Sequence, residues 1–159
     1  MEKLDIVCVG SLKEKSMREI CAEYQKRLSR FCKLTVTELS EYRLPDSPSQ
    51  LEIDRALDIE GEQMLKFITP NTFAVALCIE GKQFASEAFS KKLEQGMSVG
   101  GRTVMFIGSS HGLSDKVKNA CNLRFSMSEM TFPHQLARCM LLEQIYRAYK
   151  IRFNENYHK

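Results

Sequence analysis

Three short stretches carry the residue types that could hold a small ligand. The run GSSHG at 108–112 follows the apolar segment Val104 to Ile107. SMSEMTFPH at 126–134 follows a second short apolar segment, and EGK at 80–82 follows TFAVALCI at 72–79. Strand ends that spill into loops rich in Gly, Ser and Met are where α/β proteins bind small molecules. Gly108 has no Cβ, so a ligand can approach the main chain closely there. Amide and carbonyl groups of the last loop could read an adenine edge, while Leu77, Met127, Met130 and Phe132 supply apolar walls. One glycine after a strand predicts an ordinary turn; three such loops in one fold predict a pocket. GSSHG is not GxGxxG, and no GxxxxGK[ST] occurs, which disfavours a dinucleotide Rossmann site and a P-loop.

The elements that must position these loops alternate. Leu4 to Val9 read as a strand ending at Gly10. A helix follows from about Lys13, with Met17, Ile20, Cys21, Tyr24 and Leu28 on its apolar face. Leu34, Val36 and Leu39 belong to a second strand, and ELSEYRLPDSPSQ, with Pro45 and Pro48, is the one long loop, read as a connection. A helix over about 51–68 places Ile53, Leu57, Met64 and Leu65 inward and carries Gly61, a local weakness of about 1 kcal/mol relative to Ala. TFAVALCI is apolar without alternation, the pattern of a strand covered on both faces. A helix from about Ser86 buries Phe89, Leu93 and Met97 and stops at Gly100-Gly101. A short helix at about 114–121 and a strand at about 123–127 follow. Pro133 suits the first position of a final helix reaching about Phe153. That helix is apolar nearly all round and must be covered on more than one side, by its own chain or by a partner subunit. The alternation predicts an α/β fold with a mainly parallel sheet and helices on both faces; spacing alone suggests an unknotted, doubly wound one.

The chain has 159 residues, 43% of them hydrophobic and 27% charged, which fits one domain over 1–159. No apolar run approaches the roughly 18 residues of a membrane span. Glu2 and Asp5 stand where a signal peptide would carry basic residues, so a cytoplasmic location is expected. The six cysteines form no CxxC pair and the three histidines are scattered, so reduced thiols and no metal site are expected. The net charge is +3, and residues 134–159 hold five Lys/Arg against two Asp/Glu. A basic C-terminal end hints at a polyanionic partner.

The motifs extend along the whole chain: VGSLKEK, KEKSMREICAEYQKRL, DIEGEQMLKFI, ALCIEGK, FIGSSHGLSDKV, RFSMSEMTFPHQLARCMLLEQIYRAYKI and NYHK. In this order and at this length they resemble the RlmH family, SPOUT-class methyltransferases that modify a pseudouridine in large-subunit ribosomal RNA. The resemblance implies a SPOUT-type α/β sheet with a C-terminal trefoil knot that forms the pocket. It implies S-adenosylmethionine as cofactor, held by Leu77, Gly108 and the run Met127, Ser128, Glu129, Met130, Thr131 and Phe132. It further implies a homodimer that methylates N3 of a pseudouridine in the helix 69 loop of 23S rRNA. The net charge of +3, too small for a firm grip on naked RNA, makes the assembled 70S ribosome the expected substrate. Arg138, Tyr157 and His158 are then the expected catalytic residues, with His134 a further candidate. Simpler roles stand beside these: a hydrogen bond at the helix start for His134, an intersubunit ion pair for Arg138, an exposed loop for His111. One departure is Ser109, where the family commonly has a second glycine. Two other classes remain possible on the residues alone, a non-enzymatic RNA-binding module and a flavodoxin-like binder.

Overall fold

Strands and helices alternate along residues 1–157, the residues that the computed structural model describes. They are β1 (Glu2–Val9), α1 (Lys15–Leu28), β2 (Cys32–Leu39), α2 (Gln50–Leu65) and β3 (Thr72–Lys82). Then come α3 (Ser86–Gly100), β4 (Arg102–Ile107), α4 (Asp115–Ala120), β5 (Leu123–Phe125) and α5 (His134–Arg152). The strands form one sheet in the order β2-β1-β4-β3-β5, and every pairing is parallel. All strand ends of one polarity therefore meet at one edge.

The order dictates the layers. The connections β1→β2 and β3→β4 run one way across the sheet, whereas β2→β3 and β4→β5 run the other. A single handedness of crossover then puts α1 and α3 on one face and α2 and α4 on the opposite one. The cores agree. Leu4, Ile6, Cys8, Met105 and Ile107 pack with Leu28, Phe89, Leu93 and Leu142 on the first face. On the second, Val7, Val9, Val104 and Phe106 pack with Met64 and Val117. Ala74, Val75 and Ala76 of β3 are all buried, as the unbroken apolar run predicts.

The last helix, α5, lies between α1 and α3, and none of its residues is exposed. Ser90 Oγ of α3 donates to the Ala148 carbonyl at 2.7 Å, and the Cys21 and Cys139 sulfurs of α1 and α5 stand 3.2 Å apart. Its apolar circumference is thus covered largely by its own chain. Pro133 stands one residue before the helix, at the N-cap, rather than at its first position. Ile20, expected inward on α1, is 43% exposed. In α2 only Met64 of the expected core residues is fully buried, and the helix ends at Leu65 because Phe67 and Ile68 turn back onto Met64 and Leu65 carbonyls. Gly61 has a packing reason. A Cβ there would stand 2.6 Å from Ser114 Oγ, so its absence lets α2 seat against the start of α4.

Candidate functional site

The three loops singled out by sequence meet at the carboxyl edge of the sheet. Between the ends of β3, β4 and β5 lies a cavity of about 640 Å³, a volume typical of a small-molecule site. Leu77, Gly108, Met127, Ser128, Met130, Thr131 and Phe132 all line it. Glu129 is not among the lining residues and is exposed.

Each wall has a local cause. The β3–β5 register slips, since Phe125 pairs with both Leu77 and Lys82. Residues 78–81 therefore leave the ladder as a bulge, and Cys78, Ile79 and Glu80 face the cavity. Gly81 permits the bulge: a Cβ there would come within 2.7 Å of the Phe125 backbone. Across the mouth Glu80 pairs with Lys118 of α4, which holds its carboxyl below the usual carboxylate range. The second wall is tighter still. The Gly112 amide donates to the Ser109 carbonyl at 2.9 Å, and Gly112 has φ of +86°. A Cβ on Gly108 would collide with the Gly112 carbonyl, so this turn requires glycine. In the third, Ser126 Oγ donates to the Ser128 carbonyl at 2.9 Å and the Met130 amide to Ser128 Oγ at 3.0 Å. These hydroxyls fix an irregular backbone that no ladder supports.

The fourth side is the start of α5, where Pro133, His134 and Ala137 join the lining. Arg138, one residue on, points elsewhere. Its guanidinium, 3% exposed, donates from Nη1 to Glu38 Oε1 at 2.6 Å and from Nη2 to the Gly10 carbonyl at 3.1 Å. It ties α5 to the ends of β1 and β2 within one chain, a partner different from the phosphate or second subunit expected from sequence. Tyr157 is also engaged. Its hydroxyl donates to Glu143 Oε1 at 3.0 Å, its ring meets Tyr146 edge-on at 5.2 Å, and Arg147 covers it. Burial and the Glu143 carboxylate both push its phenol up, away from easy ionisation. His158, the remaining candidate, lies outside the described residues.

Sequence reasoning passed over Glu60. It sits on α2, 5% exposed, and its Oε2 accepts the Tyr42 amide at 3.1 Å. Burial raises its carboxyl, Glu41 adds to this, and the Tyr42 amide, the Ser109 hydroxyl and His111 oppose it. On a helix a lone glutamate reads as solvated face, and only tertiary packing distinguishes this one. Four of the six thiols, Cys8, Cys21, Cys32 and Cys139, are buried, while Cys78 and Cys121 are half-buried. Desolvation pushes Cys8 up to about 11 and Cys121 up to about 12, away from the reactive thiolate. Among the described residues no three His, Cys, Asp or Glu side chains gather as a metal site, and no helix is long and apolar enough to cross a membrane.

Comparison with known proteins bears directly on this cavity. The family described as "Predicted SPOUT methyltransferase" matches residues 2–158. Ribosomal RNA large subunit methyltransferase H of Streptococcus pneumoniae strain CGSP14 is 48% identical over 158 residues, covering 99% of each chain. The proteins of that name from strains 70585 and P1031 match to the same extent. With a parallel α/β sheet, a cavity at its carboxyl edge and this likeness from end to end, the chain belongs to the SPOUT methyltransferase family, and within it to the family of ribosomal RNA large subunit methyltransferase H.

Proposed function

We propose that this protein is an S-adenosylmethionine-dependent methyltransferase of large-subunit ribosomal RNA, acting on N3 of a pseudouridine in the helix 69 loop of 23S rRNA. The observation that carries the reading is the cavity itself. Seven of the eight residues expected at the cofactor line it, in a chain 48% identical over its whole length to proteins named for this activity. Membership of the family also supports reading the chain path around the 126–134 loop as a trefoil knot.

The residues fit the cofactor. Gly108 and the irregular 126–132 backbone offer main-chain groups to an adenine edge, and Leu77, Met127 and Phe132 offer apolar walls. When bound, the cofactor supplies an already activated methyl group on a sulfonium. The protein then has to align the acceptor nitrogen with that methyl and receive the N3 proton as the N–C bond forms. His134 is the candidate proton acceptor in the cavity wall. Arg138 acts as a positioning residue that holds the start of α5, and so His134, against the ends of β1 and β2.

The tail fits a homodimer. Tyr157 rests at Glu143, nine residues along α5 from His134, which is about 14 Å of helix. We read the tail, with Tyr157 and His158, as serving the cavity of a partner subunit. The modest net charge of +3 favours the assembled 70S ribosome over naked RNA, because ribosome shape supplies the specificity that a small basic surface lacks.

The test offers wild-type protein and labelled cofactor three acceptors from cells lacking it: 70S ribosomes, free large subunits and protein-free 23S rRNA. The expected result is one methyl per 70S particle, mapped by mass spectrometry to N3 of one pseudouridine, with little transfer to naked RNA. Transfer to protein-free RNA as efficient as to ribosomes would remove the 70S substrate, and no incorporation into any acceptor would remove the function.

A further inference from the structure

A methyl transfer needs a second site for the acceptor, and the cavity uses only the β3, β4 and β5 part of the carboxyl edge. The ends of β1 and β2 border it directly. Glu41 Oε2 and His134 Nε2 stand 3.7 and 3.8 Å from the place that a Cβ on Gly10 would take. The Lys13 amide donates to Gln135 Oε1 at 3.0 Å, so the β1–α1 turn also lies against the start of α5.

The β2–α2 loop, 40–49, is held to the cavity by one buried carboxylate. Glu60 takes the Tyr42 amide at 3.1 Å, from a turn of α2 that packs on the residues just after the cavity loop. The next residue, Gly61, lets α2 close on Ser114 at the far end of that loop. One turn of α2 therefore fixes the 40–49 loop and the 108–114 loop relative to each other. Beyond the anchor, the Tyr42 side chain is left to solvent at 41% exposure, and Arg43 is exposed beside it. Tyr24, Tyr146 and Tyr157, in contrast, are packed against one another under Arg27 and Arg147. The 40–49 loop also carries exposed Glu41 and Asp46, so its RNA chemistry lies in stacking first. An exposed aromatic ring on an anchored loop, with one guanidinium beside it, is what stacks on a splayed base in single-stranded RNA recognition.

Resting on the methyl-transfer reading above, we infer that the 40–49 loop is the docking edge for the acceptor RNA. Tyr42 stacks on an unpaired base beside the target, Arg43 and Lys13 take flanking phosphates, and Glu60 is the positioning residue that sets this edge against the cofactor loop.

The experiment compares full-length wild type with Tyr42→Ala/Arg43→Gln, Glu60→Gln and Glu60→Ala, each checked for folding by thermal melting. Cofactor Kd is read by calorimetry, and KM and kcat with 70S ribosomes by methyl incorporation. In the double variant KM for ribosomes should rise about tenfold or more, the loss expected of one stacked base, while cofactor Kd and kcat stay within about twofold. Glu60→Gln retains an acceptor for the Tyr42 amide and should stay near wild type. Glu60→Ala, freeing both loops, should raise cofactor Kd and ribosome KM together. Should Glu60→Ala not fold, the double variant and Glu60→Gln decide the matter. An unchanged KM in the double variant, with normal wild-type transfer, overturns the docking edge alone. Absence of transfer by wild type overturns the methyl-transfer reading and the docking edge with it.

Discussion

The two ends of α5 are built for different tasks. Its first turn lies at a cavity walled by irregular backbone and small or flexible side chains, and its cation, Arg138, is buried behind that wall. Its last turns end in a stack: Phe31 lies parallel to Tyr149 at 5.5 Å and to Phe153 at 5.6 Å, and Tyr146 meets Tyr157 at 5.2 Å. The cations there are already paired, Arg147 with Glu143, Lys150 with Glu155, and Arg152 with Glu2 and Glu94. Basic composition alone would have placed a polyanion at this second end. The pairing shows that these cations already have partners within the chain, so composition alone does not mark this end as a polyanion site.

The sharpest way to break that contrast is at Glu38. Arg138 is almost wholly buried, whereas Glu38 is 41% exposed, so the two partners are not equivalent. Glu38→Gln leaves a buried guanidinium without its counter-charge and should cost about 3 kcal/mol of stability. Arg138→Met leaves a carboxylate that water can reach and should cost only about 1 kcal/mol. Denaturant unfolding of the two variants checks the asymmetry; equal losses would show that burial does not decide it.

Next in size is Gly108→Ala. The added methyl collides with the Gly112 carbonyl, and relieving an overlap of this kind costs about 2 kcal/mol. Because the strain falls on the cavity wall, calorimetry should find cofactor affinity reduced by tenfold or more, with the melting temperature lowered by about 4–8 °C. The mirror experiment is Phe31→Leu at the other end, which loses stacking on two rings. It should cost about 1 kcal/mol of stability and leave cofactor Kd unchanged.

The same contrast explains what sequence could and could not convey. TFAVALCI announced a doubly covered strand, and the three loops announced a pocket, because hydrophobic pattern and glycine placement are local properties. The all-parallel order follows from alternation and handedness. Arg138, however, meets Glu38, a hundred residues away in sequence, and no local pattern distinguishes that partner from a phosphate. Glu60 and Gly61 look like an exposed charge and a weak point in a helix. They are the place where α2 touches the cavity loop. Ile20 shows the opposite error, since it has the right spacing for a core face and still faces solvent.

The smallest expected effect separates the ends by the sign of their pH dependence. Burial raises the Glu60 carboxyl, with the Tyr42 amide, Ser109 and His111 opposing and Glu41 reinforcing. A carboxyl that holds its proton more tightly folded than unfolded makes stability fall as pH rises from the ordinary carboxylate range through the raised folded value. Glu155 at the far end is lowered, chiefly by its hydrogen bond from Lys150, so its contribution is present above the ordinary range and is lost as pH falls through the lowered value. Glu60→Gln should therefore gain stability relative to wild type as pH rises across the first window. Glu155→Gln should lose stability relative to wild type as pH rises through the lower window, from the lowered folded value up to the ordinary carboxylate range, and less so at high salt. Unfolding curves for the three proteins at a series of acid pH values test this; a Glu60→Gln difference that does not vary with pH would show that the carboxyl at the cavity is no more buried, in electrostatic terms, than the one at the tail.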